Sequence, residues 1–403
     1  MSTFASSQKP LIVQKYGGAT LETPEKIRAV AKRISDQSKS HSLIVAVSAM
    51  GQTTNQLLDL AGQVSANPSR RELDMLLTTG ERISMSLLSM ALNDLKAPAI
   101  SFTGSQAGIL TNESHVNAFI QDLKPQRVEQ AIREKKIAVI AGFQGVSPVT
   151  KEITTLGRGG TDTTAVAMAA HFKAERCEIL KDVPAIFSAD PRIVEDAKPI
   201  SHLNYDQLLE MTFWGAKVLH YRSVELAKVR EVKLYVGPAS DTLSNGTLIQ
   251  KGFNMYESAK PLSVNSHETV LELVMEGVKP LKALENLSWY LNEKQIPFPQ
   301  ILRTQPINDN TQLLLTGPLE IMRAIEKEIP TSPVKTNLKR FSTVTMTCTG
   351  VTSSQLFDHL FKLLDRDGIS FSEILVTGMS VTMVVDQEIR HKTVKCLHSM
   401  MGI

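Results

Sequence analysis

The feature that most limits how this chain can fold is a duplication near its C-terminus. Residues 277–304 (GVKPLKALENLSWYLNEKQIPFPQILRT) align without gaps, at an offset of 73, on residues 350–377 (GVTSSQLFDHLFKLLDRDGISFSEILVT), with nine of 28 positions identical. Leu287/Leu360, Leu291/Leu364 and Ile296/Ile369 are among the identical pairs, at the spacing of one apolar helix face and the strand that follows. Each copy reads as strand, Gly-Val turn, helix, strand. A second strand (311–316; 380–385) and a second helix (318–329; 388–400) follow. That order is βαββαβ, so the last third of the chain must form two ferredoxin-like modules.

The first ~250 residues have another rhythm, short β-rich runs alternating with amphipathic helical stretches. Strands are expected at Leu11–Lys15, Leu43–Ser48, Ala99–Phe102, Ile137–Ala141, Cys177–Lys181 and Val232–Val236. Helices are expected at 24–37, 54–65, 72–95, 115–134, 161–173 and 217–229. Runs such as IVAV and IAVIA are apolar throughout, which suits strands covered on both faces. The expected class is α/β, a mostly parallel central sheet with helices on both faces. The rhythm changes after Gly246-Thr247-Leu248-Ile249. This places one domain at 1–250 and a second region at 251–403, with modules at about 262–335 and 340–403.

Charge and cysteine usage narrow the partners. Forty-four Lys+Arg against 41 Asp+Glu leave a formal charge of only +3, no footprint for nucleic acid or a membrane surface. Cys177, Cys348 and Cys396 are far apart, without a CxxC pair, so no disulfide framework or zinc ribbon is expected. A reducing cytoplasm fits. The short apolar run after Lys9 is not a signal peptide, and no uncharged stretch is long and apolar enough for a span.

No GxxxxGK[ST] occurs, and Gly-rich turns take the place of a P-loop. Lys15-Tyr16-Gly17-Gly18 ends the first strand; it is either a plain turn or an anion site, with a lysine beside backbone that can approach phosphate. Leu156-Gly157-Arg158-Gly159-Gly160-Thr161-Asp162 opens a helix of small residues, with Thr161 or Asp162 as cap and Arg158 placed to grip a carboxylate or phosphate. Phe187-Ser188-Ala189-Asp190-Pro191-Arg192 reads by itself as a turn. Glu81 falls inside the apolar stripe of Leu73, Leu77, Leu88, Ala91 and Leu95. An inward carboxylate needs a cation or donors, either a structural salt bridge or a ligand's ammonium group. Thr53 or Thr54 caps the helix after Val47-Ser48, while Lys217 and His220 carry no catalytic spacing of their own.

In order, VQKYGG, VSAMGQTTN, TTGERIS, AGFQG, TTLGRGGTDTTAVAMAA, DVPAIFSADPR, FWGAKVLH and NGTLI resemble the aspartate kinase branch of the amino-acid kinase family over residues 11–250. The duplicated tail resembles the paired ACT domains of such enzymes, which are intertwined; the strand around Lys260–Val264 would then belong to the second module. The resemblance implies transfer of the ATP γ-phosphoryl group to the side-chain carboxylate of L-aspartate, the entry step to lysine, threonine and methionine. It implies Lys15 on the transferring phosphoryl group, Gly17 and Gly18 around the phosphates, and Arg158 with Gly159, Gly160 and Thr161 at a carboxylate of aspartate. Glu81 would receive the α-ammonium and Thr53 or Thr54 would bond the substrate. Tyr16, Ser48, Lys181, Asp182, Phe187 to Arg192 and Lys217 match ATP-contacting positions. Mg²⁺ would arrive with the nucleotide. An amino-acid effector and a homodimer or higher oligomer through the ACT modules are further expectations. Ala19, Lys181 and Tyr221 depart from the usual serine or threonine hydroxyl, Thr-Asp pair and proline. The rival readings are another kinase of the same fold and a non-catalytic amino-acid sensor.

Overall fold

The computed structural model describes residues 9–239, 246–252, 260–294, 296–332, 334–352 and 354–402; Asn245 of the NGTLI segment lies outside them. The chain divides into two compact units. The first comprises Met1–Ile186, Pro199–Thr212 and Lys217–Asn254, and the second Phe187–Lys198, Phe213–Ala216 and Met255–Ile403.

The first unit is built on an eight-stranded sheet. Its strands include β1 (Leu11–Tyr16), β2 (Ser42–Val47) and β3 (Ala99–Phe102). A small four-stranded sheet contains β4 (Ile109–Thr111) and β5 (Ile120–Leu123). The main sheet continues with β6 (Ile137–Ala141), the small one with β7 (Gln144–Val146) and β8 (Ile153–Thr155), and β9 (Arg176–Lys181) returns to the main sheet. From one edge the main sheet runs His202–Leu203, Thr247–Ile249, Leu234–Pro238, β9, β1, β2, β6, β3. All neighbours are parallel except Leu234–Pro238 and Thr247–Ile249. β2 and β6 are buried along almost their whole length, as their apolar runs IVAV and IAVIA require.

Helices α1 (Pro24–Ser38), α2 (Thr53–Val64), α3 (Arg70–Asp94), α4 (Gln126–Arg133), α5 (Gly160–Phe172), α6 (Tyr205–Phe213) and α7 (Tyr221–Val229) connect the strands. Thr23 caps α1 by accepting from the Lys26 N–H, with Pro24 at the first helical position. Ser69 caps α3 in the same way through Glu72. α1 and α3 share a core with β1 and β2, in which Ile27, Ile34, Leu88 and Leu92 pack on Ile12, Tyr16, Val45 and Val139. α5 is buried on every side from Gly160 to Ala169, which its run of alanines and threonines permits.

Two expectations are corrected here. The helix expected over 115–134 is only Gln126–Arg133; the strand Ile120–Leu123 and a turn precede it, with Val116 in the left-handed region at φ 69°. The helix expected over 217–229 begins at Tyr221, because His220 is extended and caps it by accepting from the Arg222 N–H. Among the described residues, no helix is long and apolar enough to cross a membrane.

The second unit contains a six-stranded antiparallel sheet in the order Gln300–Ile307, Asn310–Thr316, Pro261–Met275, Thr336–Cys348, Ser380–Val385, Glu373–Val376. Its two long strands pair with each other along their length, with a register shift between His267 and Val270. Each long strand serves two modules. Val270–Met275 pairs with Asn310–Thr316 and with Thr336–Phe341, while Ser342–Thr347 pairs with Ser380–Val385 and with Ser263–His267. The first strand of the unit thus supplies the fourth strand of the second βαββαβ module.

Helices α8 (Pro280–Glu293) and α9 (Leu319–Glu328) cover the first module, and α10 (Ser354–Arg366) and α11 (Arg390–His398) the second. The duplicated positions Leu287, Leu291 and Ile296 are buried in one core, and Leu360, Leu364 and Ile369 in the other.

A division at residue 250 differs from this structure in two stretches. Ala189 and Val194 belong to the same core as Val264, Met346 and Leu397. The Phe213 carbonyl accepts from His267 Nε2 and Gln300 Nε2, each at 2.9 Å. Burial of Ala189 and Val194 and the hydrogen bonds at Phe213 are what join these stretches to the second unit.

Candidate active site

Strand order reverses around β1, whose neighbours are β2 on one side and β9 on the other. In open α/β sheets ligands bind outside the carboxyl ends of the strands at such a point. β1 delivers Lys15, β2 runs into Ser48, β9 ends at Lys181, and β6 leads to Gly142.

Lys15 is nearly buried, and its Nζ lies 2.7 Å from Asp162 Oδ1, whose side chain is equally enclosed. Asp162 stands in the first turn of α5, where the helix dipole favours a carboxylate. The capping role expected of Thr161 or Asp162 is not the one seen: Gly159 is the N-cap, no side chain among the described residues caps the helix, and Asp162 pairs with Lys15 instead. The threonines around Asp162 give no sign in sequence of the burial that calls for such a partner. Gly18 is required by a close approach, since a Cβ there would sit 2.7 Å from the Ala49 carbonyl oxygen. The Gly18 carbonyl accepts from the Gly51 N–H at 3.0 Å, which locks the two strand-end turns together.

Glu81 does point inward. Its Oε1 accepts from the Ala49 N–H at 3.0 Å, while Oε2 is buried and meets no donor among the described residues. Burial pushes its carboxyl up from 4.5 to about 7. The neighbouring Gly80 lets α3 approach the same turn, because a Cβ there would lie 2.7 Å from that of Ala49. Thr53 Oγ1 donates to the Met50 carbonyl at 2.6 Å and starts α2; Thr54 follows it in the same first turn.

The Arg158 turn is held from both sides. Gly157 and Gly159 have φ of 72° and 71°, and a Cβ on Gly159 would fall 2.1 Å from His220 Cβ. Arg158 itself is exposed. The fully buried Asp74 accepts from Thr155 Oγ1 at 2.5 Å, from the Val116 N–H at 3.1 Å and from His115 Nδ1 at 2.6 Å. Arg222 donates to the carbonyls of Leu156 and Ala118, each at 2.8 Å. Neither Asp74 nor Arg222 was legible as a site residue, because their partners are distant in sequence. Gly160 and Thr161 begin α5, with Thr161 packed on Gly142.

Lys181 donates to the carbonyls of Lys217, at 3.4 Å, and Val218. Burial holds its ammonium below the ordinary lysine range, the nearby Asp162 raising it and Lys15 lowering it. Asp182 and Lys217 are exposed. The structure thus brings Lys15, Gly17, Gly18, Ser48, Thr53, Thr54, Glu81, Arg158 to Thr161, Lys181, Asp182 and Lys217 into the first unit. Phe187 to Arg192 belong to the second. There Ser188 Oγ meets His398 Nε2 at 2.9 Å, and Asp190 pairs with Arg192 at 2.7 Å.

A strand-end crevice of this kind, lined by cations and a helix N-terminus without a P-loop, is the arrangement of a phosphotransferase. The amino acid kinase family model matches residues 10–238, and the chain belongs to that family. The aspartokinase of Geobacillus stearothermophilus is 36% identical over 98% of this chain and 97% of its own. Within the family the chain therefore belongs to the aspartokinases. The fold is likewise similar to aspartokinase III of E. coli. Its complex with aspartate and ADP matches with a TM-score of 0.80 at 20% identity, over 98% of this chain and 100% of that one. Its complex with lysine and aspartate matches at 0.73 and 20% identity, over 96% and 99%.

Proposed function

We propose that the crevice at the end of β1 performs the aspartokinase reaction with Lys15 as its central cation. The single observation behind this assignment is the buried Lys15–Asp162 pair at the topological switch point. Asp162 fixes where the ammonium stands before substrate arrives, so no reorganisation is needed as charge spreads over the transferring phosphoryl group. Gly17 and Gly18 bring backbone to the phosphates. Ser48, Lys181, Asp182 and Lys217 complete the nucleotide set, while the Tyr16 side chain, fully buried in the core beneath, supports the turn rather than meeting nucleotide.

Glu81 receives the α-ammonium of aspartate, and its orphaned oxygen supports that role. Arg158, with Gly159, Gly160 and Thr161, holds a carboxylate of the same substrate, and Thr53 or Thr54 bonds it. The attacking group is the other carboxylate, already ionised at neutral pH, so the site requires no general base.

Among the described residues no group of three or more His, Cys, Asp or Glu could hold a metal. Mg²⁺ enters as part of the Mg·ATP substrate, held by phosphate oxygens and water. The paired ferredoxin-like modules suit an amino-acid effector, and they suit assembly into a homodimer or larger oligomer; the lysine complex of the E. coli enzyme supports the first of these. The proposed setting is cytoplasmic, at the entry to lysine, threonine and methionine synthesis.

The test is ADP release from the purified chain with Mg·ATP and aspartate, glutamate, acetylglutamate or UMP as acceptor, with and without lysine and threonine. Turnover on aspartate alone, abolished in Lys15→Ala, is the expected result. Full activity in Lys15→Ala would remove that lysine from the mechanism.

A further inference from the structure

The register of the sheet places Lys181 beside the catalytic cation. β9 lies between β1 and Leu234–Pro238; Leu180 stands opposite Tyr16, and Lys181 opposite Pro238. Lys181 therefore leaves the sheet at the level where β1 turns into Gly17 and Gly18. Its Nζ is partly enclosed and donates to the Lys217 and Val218 carbonyls just ahead of α7. Among the described residues no carboxylate lies within ion-pair distance of it. The carboxylate whose charge reaches it most strongly, Asp162, is already engaged by Lys15.

Of the two ammonium groups at the mouth of the crevice, only that of Lys15 is ion-paired among the described residues, which leaves a surplus of positive charge there. Such a surplus of desolvated positive charge is unfavourable in the empty protein and becomes favourable once an anion enters. Two of the three Lys181 donors are directed at backbone carbonyls, which hold the ammonium in place and leave one donor for a ligand.

We propose that Lys181 is a second catalytic cation of this aspartokinase, contacting the phosphate chain of the nucleotide beside Lys15 and stabilising the transferring group. The related enzymes this chain resembles carry a threonine there, which offers a hydroxyl and no charge. This chain therefore neutralises one more phosphate charge with protein. The same contact to Lys217 and Val218 couples that charge to the start of the segment bearing Lys217. The inference rests on the assignment of the crevice to nucleotide.

Its test begins with the wild-type enzyme, whose turnover on aspartate decides that assignment independently. ADP binding is then measured by calorimetry from pH 7 to pH 10, with kcat over the same range. The groups facing Lys181 are Lys15 from β1, Asp162 from α5, Asp182 next to it in sequence and Lys217 ahead of α7. Affinity and kcat should fall on the alkaline side as Lys181 loses its proton. In Lys181→Thr and Lys181→Met that alkaline limb should weaken. In both, kcat should drop roughly 10²- to 10³-fold, the range for removing one preorganised donor, with the aspartate KM within about twofold. Lys181→Arg, which keeps the charge, should recover a large part of the loss. A Lys181→Met enzyme that binds ADP as tightly as wild type and turns over at the wild-type rate would overturn the proposal. So would a Lys181→Thr enzyme that retains both kcat and the alkaline limb.

Discussion

Glu81 and Ala49 share one hydrogen bond, 3.0 Å from the backbone N–H to Oε1, and leave the second carboxylate oxygen enclosed without a donor. α3 thereby offers half of an acceptor site to whatever sits beside the Val47–Thr53 turn.

That half-used carboxylate makes aspartate binding a proton-linked event. With its carboxyl raised to about 7, Glu81 is partly protonated in the empty site at neutral pH. An ammonium group binds only the ionised form, so aspartate should expel a fraction of a proton at pH 7. Its KM should rise as pH falls from 8 to 6. Calorimetry in buffers of different ionisation enthalpy would count the proton, and Glu81→Gln should abolish both the release and the pH dependence. The same shift acts on stability with the opposite sign. Between 4.5 and about 7 the folded chain keeps a proton that the unfolded chain has lost. This contribution to stability therefore declines as pH rises through that window, a trend that chemical denaturation of wild type against Glu81→Gln should show.

Asp162→Asn keeps the shape of the α5 terminus and removes the charge that anchors Lys15. Its kcat should fall roughly 10²-fold or more, as when a preorganised charge is released. The fold should survive, since the asparagine is isosteric with the aspartate it replaces. Rates within threefold of wild type would show that Lys15 is held by something else.

Gly159→Ala meets two obstacles, a left-handed φ of 71° and a Cβ 2.1 Å from that of His220. Together they should cost about 1–3 kcal/mol or more. The strain falls on the turn carrying Arg158, so the aspartate KM should rise well before ADP binding changes. Thermal unfolding and steady-state kinetics on one preparation would separate the two effects.

Asp74 predicts a similar split at a distance. In Asp74→Ala the Thr155 hydroxyl and the Val116 N–H lose a buried acceptor, at about 1–3 kcal/mol for each unsatisfied group. The loop against Gly157 should loosen, raising the aspartate KM while leaving the ADP dissociation constant within about twofold. Equal losses for both ligands would mean a global rather than a local role.

What the sequence disclosed follows the range of the forces involved. Strand and helix positions in the main sheet were readable because apolar periodicity is local: Ala99–Phe102 and Ile137–Ala141 have the expected bounds. The 115–134 region misled because Phe119, Ile120, Val128 and Ile132 are spaced much as on a helix, although Pro125 separates a strand from α4. Among site residues, Glu81 was legible as a polar interruption of an apolar stripe. Asp162 and Asp74 were not, because what defines them is a partner on another element: Lys15 in one case, Thr155 and Val116 in the other. Register across a sheet, which set Lys181 beside β1, is equally invisible in a single strand.

The Ser188–His398 bond closes a loop of 210 positions. On the ribosome, Ala189 and Val194 emerge long before Leu397 and Met400, the residues with which they form a core. The second unit can reach its final packing only after Leu397 and Met400 have been released. Until then, the core that receives Ala189 and Val194 lacks its last helix. Synthesis itself thus imposes an interval in which a nascent chain is open to chaperones and proteases, and a stop between residues 200 and 390 prolongs that interval indefinitely.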